Sequence, residues 1–156
     1  MDRTISVVVS VYNEEKALED FFRETSRVLE ETGWDWELIF VNDGSADRSL
    51  SVLKGLAAQD KRVKLVSFSR NFGHEAAMIA GMDFSSGEVV VCMDADLQHP
   101  PACIPEILKK REEGYEVISM VRTKNRTAGL IKNITSSGFY WLINHISDVH
   151  FEPNAS

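Results

Sequence analysis

Apolar positions recur in two rhythms along the chain. Short runs rich in β-branched residues occupy 5–11, 37–41, 63–66, 88–93 and 116–121, each short enough and apolar enough to be a strand covered on both faces. Between them the apolar residues recur at helical spacing. Ala17, Leu18, Phe21, Phe22, Val28 and Leu29 line one stripe over 14–32, which Gly33 ends. Leu50, Leu53 and Leu56 mark a second helix that Asp47 is placed to cap, its carboxylate accepting from first-turn amides. Helices are also predicted over 74–84, after a turn at Gly73, over 105–113, and over 130–146.

Strands that alternate with helices predict one α/β domain over residues 1–156, a three-layer sandwich with a mostly parallel sheet and helices on both faces. Ligands of such sheets bind beyond the carboxyl ends of the strands, near a topological switch point. The polar clusters fall there: Tyr12-Asn13-Glu14 after the first strand, Asn42-Asp43-Gly44-Ser45 after the second, Asp94-Ala95-Asp96 after the fourth.

Composition narrows the partners. A net charge of −7 excludes nucleic acid as a general partner, since phosphate backbones select basic surfaces. No apolar run approaches the roughly 18–20 residues of a membrane span, and the first residues lead directly into a strand, so neither leader nor anchor is expected. Cys92 and Cys103 lack framework spacing and read as free thiols of a cytoplasmic protein. His74, His99, His145 and His150 lack zinc-ligand spacing. Trp34 and Trp36 read as packing residues beside the second strand, and Phe139-Tyr140-Trp141-Leu142-Ile143 as the buried stripe of the last helix.

The stretch GEVVVCMDADLQHPP, residues 87–101, carries the chemistry. Two carboxylates two positions apart on extended backbone point the same way and repel unless a cation joins them. Hard oxygens suit Mg2+ or Mn2+, with Gln98 able to add a carbonyl oxygen. A cation held by so few protein groups keeps positions for phosphate oxygens, which points to a nucleoside diphosphate. Glu14 and Asp43 then serve as acceptors for ribose hydroxyls or base N–H groups. No GxGxxG and no GxxxxGK[ST] occurs, so phosphate charge falls to the metal and to Arg70, Arg122, Lys124 or Arg126.

VSVYNEE (9–15), VNDGSAD (41–47), SRNFGHEAAMIAGMDFSSGE (69–88), DADLQHPP (94–101) and VRTKNR (121–126) together resemble the family-two, GT-A-fold glycosyltransferases. The nearest branch is that of the polyprenyl-phosphate (dolichyl- and undecaprenyl-phosphate) sugar transferases. The resemblance implies that Tyr12, Asn13 and Glu14 line the base and ribose pocket and that Asp43 reads the base or ribose. It implies Asp94 near ribose and metal, Asp96 as principal metal ligand, and Gln98 completing the shell. Arg70 and the turn at His74 border the diphosphate and sugar, and Arg122 and Arg126 face the lipid phosphate. From Arg122 to Lys132 there are four basic residues and no acidic one, a landing place for an anionic acceptor at a membrane surface.

The implied reaction is metal-dependent glycosyl transfer with inversion, with Asp94, Asp96, Arg122 and Arg126 as its catalytic residues. A UDP-sugar is favoured over a GDP-sugar as donor. A lipid phosphate is already anionic near neutrality, with a second pKa of about 6, whereas a saccharide hydroxyl, the alternative acceptor, needs a general base. The acidic Asp-Phe-Arg-Leu-like motif of the family is not found before Ser156, so the chain is expected to be a C-terminally truncated piece. The longer enzyme is expected at the inner face of the cytoplasmic membrane. Two further readings are a nucleotide-sugar-binding module inactive in this form, and a phosphohydrolase with an aspartyl nucleophile. The second sits poorly with DxD on the fourth strand followed by Gln98.

Overall fold

The computed structural model describes residues 3–95 and 100–120. The chain divides into two units, Met1–Glu113 and Gly114–Ser156, and all the regular elements below belong to the first. They run β1 (Thr4–Val11), α1 (Leu18–Thr32), β2 (Asp35–Asn42), α2 (Ser49–Gln59), β3 (Val63–Ser67), α3 (His74–Asp83), β4 (Val89–Asp94), a 3-10 turn (Pro101–Cys103) and α4 (Ile104–Glu112). The four strands form one parallel sheet in the order β3-β2-β1-β4. β1 is therefore interior, and the order reverses between β1 and β4. There the carboxyl ends Ser10 and Asp94 stand side by side in register.

Side chains alternate across a strand, and β2 uses both of its faces. Phe40 meets Phe21 of α1 edge to face, with ring centroids 6.2 Å apart. Its neighbours Ile39 and Val41 join Val8 and Ala77 of α3 in a cluster flanked by Val66, Phe68 and Met78. Hence α1 and α3 cover opposite faces, and α2 and α4 pack beside α1. The approach of α3 to the sheet depends on Gly81, where a Cβ would stand 2.2 Å from Val8 Cγ1. This is the layered α/β architecture that the alternating pattern predicts.

Two elements differ from the sequence reading by more than a residue or two. α1 starts at Leu18, four residues later than predicted, because the Glu14 carbonyl accepts from the Ala17 amide at 2.9 Å in a tight turn while the amides of Glu14 and Glu15 are held by the next loop. Glu14 donates to Ser49 Oγ at 2.9 Å and Glu15 to Asp47 Oδ2 at 3.1 Å. The predicted fifth strand is not formed over its described residues, 116–120. That stretch is irregular and Val117 is 88% exposed. Strand propensity without a pairing edge does not hold a strand. The predicted helix over 130–146 lies outside the described residues.

At the amino ends of the strands a polar knot gathers around buried Glu37 and Ser6. Glu37, 7% exposed, accepts from Ser6 Oγ at 2.6 Å, from the Ser86 amide at 2.7 Å and from Ser86 Oγ at 3.0 Å. Its other partner is the Lys64 ammonium. Burial pushes this carboxyl up, but Lys64, Ser6 and Ser86 outweigh it and hold the pKa at about 2. Trp36 is buried nearby in sequence, with the Arg62 guanidinium 3.8 Å above its ring. Cys92 and Cys103 are free thiols.

Candidate active site

Opposite that knot, at the carboxyl ends of the strands, lies a cleft of about 300 Å³. Ser10, Tyr12, Glu14, Asp43, Asn71, Gly73, His74, Asp94 and Ala95 line it. The loops that follow β1, β2 and β4 thus bring Glu14, Asp43 and Asp94 to one crevice, at the reversal of strand order where such sheets bind ligands. Tyr12 forms an open wall and is 48% exposed. Asp94 ends β4, and His74, the first residue of α3, places Nδ1 3.6 Å from its Oδ1.

The loops after β1 and β2 are stitched together. Asn13 takes a positive φ of 57°, which Asn tolerates better than most residues. Its amide donates to Ser45 Oγ at 3.0 Å, and its Oδ1 accepts from the Ala46 amide at 2.8 Å. Glu15 Oε2 accepts from the Arg48 amide at 2.9 Å, and Asp47 Oδ1 accepts from the Ser49 amide at 2.9 Å. Burial raises the Asp47 pKa, but hydrogen bonds from Ser49 and the Glu15 amide win and hold it below the usual carboxylate range. Asp47 is not the cap that sequence predicts, since Arg48 holds the N-cap position without a side-chain capping bond, but one residue earlier it turns the chain into α2 and ties it to the β1 loop.

Asp43 is enclosed. It is 2% exposed, and its two oxygens accept from the Phe72 amide at 2.7 Å and the Gly73 amide at 3.0 Å. Gly44, with φ of 67°, lies against the backbone of Arg70 and Asn71, where a Cβ would come within 2.2 Å of the Arg70 carbonyl carbon. Asp43, read from sequence as an acceptor for ribose or base, lines the cleft while each of its oxygens also accepts from one backbone amide. Arg70 does not line the cleft. Its guanidinium lies 4.6 Å from the centroid of the Phe72 ring, which meets Phe68 edge-on at 5.4 Å.

Of the binding residues read from sequence, the structure brings Tyr12, Glu14, Asp43 and Asp94 to the cleft. It turns Asn13 toward the next loop and leaves Arg70 one residue outside the lining. Ser10, Asn71 and Ala95 line the cleft without having been singled out by sequence. The pairing of Ser10 with Asp94 follows only from β1 lying beside β4. Asp96, Gln98, Arg122 and Arg126 lie outside the described residues. Among the described residues no three His, Cys, Asp or Glu side chains gather as a metal shell. Asp94 is nonetheless a hard oxygen donor at the cleft, of the type Mg2+ or Mn2+ prefers, so the donor chemistry fits such an ion.

The family model described as glycosyl transferase family 2 matches residues 6–152. The chain belongs to glycosyl transferase family 2. It is 45% identical over 144 residues to the uncharacterized glycosyltransferase YkcC of Bacillus subtilis, covering 92% of this chain and 45% of that one. It is 39% identical over 150 residues to the bactoprenol glucosyl transferase of Shigella phage SfV, covering 96% of this chain and 49% of the phage protein. The chain thus spans about half the length of the curated relatives it matches. Among solved structures, glucosyl-3-phosphoglycerate synthase from Mycobacterium tuberculosis, in complex with Mn2+, UDP-glucose and phosphoglyceric acid, is similar at a TM-score of 0.63 and 27% identity. That match covers 92% of this chain and 50% of the synthase. The mannosyltransferase PcManGT from Pyrobaculum calidifontis shares the fold at a TM-score of 0.61 and 21% identity, covering 85% of this chain and 38% of its own. The neighbours are GT-A enzymes, as the motifs imply. No helix among the described residues is long and apolar enough to cross a membrane.

Proposed function

We propose that this chain is the donor-binding portion of an inverting, metal-dependent glycosyltransferase that moves a sugar from a nucleoside diphosphate to a polyprenyl phosphate. One observation carries the reading: Glu14, Asp43 and Asp94, from the ends of three strands, border one cleft at the switch point of a family-2 fold. The relative named a bactoprenol glucosyl transferase supports the lipid acceptor, and the synthase crystallised with UDP-glucose and Mn2+ supports a uridine donor.

In this reading the open Tyr12 ring receives the nucleoside, and the Glu14 carboxylate accepts from its ribose or base. Asp94, with Asp96 and Gln98, would hold Mg2+ or Mn2+. When bound, that ion supplies Lewis-acid stabilisation of the departing diphosphate. Arg70, at the rim, offers a cation to the same phosphates. Arg122 and Arg126 position the acceptor phosphate, an oxygen of which forms a bond to the anomeric carbon as the bond to the donor diphosphate breaks. The bonding electrons leave on the diphosphate oxygen, and the configuration at carbon inverts. No proton need be removed from a lipid phosphate that is already ionised at its second pKa of about 6.

Titration calorimetry with UDP, with and without Mn2+, tests the donor site. Binding at least about tenfold tighter with Mn2+ is expected, and equal binding in its absence would remove the metal from the account. Incubating the longer natural enzyme with UDP-glucose and either polyprenyl phosphate or a free saccharide tests the acceptor. Transfer to the saccharide alone would replace the lipid reading with the hydroxyl one.

A further inference from the structure

Three consecutive backbone amides after β1 are each caught by a side chain of the segment after β2. Asn13 donates to Ser45 Oγ at 3.0 Å, Glu14 to Ser49 Oγ at 2.9 Å and Glu15 to Asp47 Oδ2 at 3.1 Å. We propose that Ser49, the first residue of α2, is a positioning residue of the donor site, whose hydroxyl sets the backbone of Glu14 and so aims the Glu14 carboxylate into the cleft. The inference rests on the donor-site reading above and adds how one of its acceptors is held.

The hydroxyl is held on both sides. Ser49 is 0% exposed, so solvent cannot stand in for it. Its amide donates to Asp47 Oδ1 at 2.9 Å. Against the burial that raises it, the Asp47 carboxyl is kept below the usual carboxylate range by the Ser49 hydroxyl together with that amide. An ionised carboxylate only accepts. The hydroxyl hydrogen therefore faces Asp47, which leaves an oxygen lone pair for the Glu14 amide. Asp47 orients Ser49, and Ser49 orients Glu14.

Glu14 is tied at its other backbone group as well, since its carbonyl accepts from the Ala17 amide at 2.9 Å. With N–H and C=O both fixed, the direction of its Cα–Cβ bond is set, and only the side-chain torsions remain to bring the carboxylate into the lining. Ser45 and Asp47 make similar bonds, but to residues that serve the neighbouring loop. Asn13 turns its side chain to the Ala46 amide and Glu15 to the Arg48 amide. Of the three residues whose amides are caught, Glu14 is the one that lines the cleft. That singles out Ser49. An alanine in its place would leave the Glu14 N–H without its acceptor in an enclosed position.

Calorimetry with UDP and Mn2+ on four chains tests it: the unmodified chain, Ser49→Ala, Glu14→Ala and the double variant. Ser49→Ala is expected to weaken UDP about tenfold. In the Glu14→Ala background the same change should cost less than about twofold, because a residue that acts through another is not additive with it. An equal loss with and without the Glu14 carboxylate would make Ser49 a general support of the fold and sink the inference. So would a Ser49→Ala chain that binds UDP like the unmodified one. Amide hydrogen exchange on the unmodified chain without ligand keeps the test decisive if a variant fails to fold. The Glu14 amide should exchange at least about a hundredfold more slowly than an unstructured amide, and free exchange there would overturn the inference. If the unmodified chain binds no UDP with Mn2+, the donor reading falls and this inference with it. If it binds UDP and the two losses simply add, the inference alone falls.

Discussion

Tyr12 and Asn13 adjoin in sequence but do different work. The Tyr12 ring faces the cleft, and an aromatic face under a base is worth about 1–3 kcal/mol. Tyr12→Ala is therefore expected to weaken UDP roughly tenfold in calorimetry, with Tyr12→Phe retaining most of the affinity. Asn13 instead holds a positive φ and caps the Ala46 amide. Asn13→Ala should lose that bond and strain the backbone, at about 1–2 kcal/mol together, seen as a lower melting temperature. Binding of UDP by the folded fraction should fall much less than in Tyr12→Ala. Sequence spacing places both residues at the end of β1, and only the structure divides their tasks. Asp43 teaches the same lesson. Its position at a strand end is legible from the run before it, whereas its partners at Phe72 and Gly73 lie across another strand and loop.

At the scale of elements, the four observed strands were legible because their β-branched runs are short and bounded by turn residues. The start of α1 was not, since Glu14, Glu15 and Lys16 are good helix formers, and the Ser49 and Asp47 side chains that divert the first two amides belong to a distant loop. The fifth strand misled for the complementary reason: its short apolar run is real, but pairing is not a property of a segment alone. The knot around buried Glu37 joins β1, β2, β3 and the turn before β4, and it makes stability depend on acid. Its carboxyl titrates at about 2 when folded against an ordinary 4.5. The stabilisation is thus complete above about pH 4.5 and is lost as pH falls toward 2, to a total on the order of 3 kcal/mol. Glu37→Gln should lower stability near neutrality and flatten its acid dependence between about pH 5 and pH 2, measured by denaturant unfolding. At the contact of α3 with the sheet, Gly81→Ala would press a methyl into Val8 and Val41. Overpacking of this sort costs about 1–3 kcal/mol, readable as a shift in the urea midpoint.

For the molecule as a whole, the two ends of the sheet are given to different purposes. A polar knot closes the amino ends, and the carboxyl ends open into the cleft. The fold class was legible from alternation and the crevice from where polar clusters follow apolar runs. The architecture that makes them one site, β1 seated between β2 and β4, is set by pairing that no local window reveals. That seating bears on how the protein comes into being. Of the four strands β1 leaves the ribosome first, yet one of its two edges stays bare until residues 89–94 are made. A nascent chain halted before β4 would carry an unclaimed ribbon of amides and carbonyls, an invitation to other chains. In the finished molecule the same strand, roofed on both faces and flanked on both edges, should be, with β2, among the last to surrender its protons to deuterium.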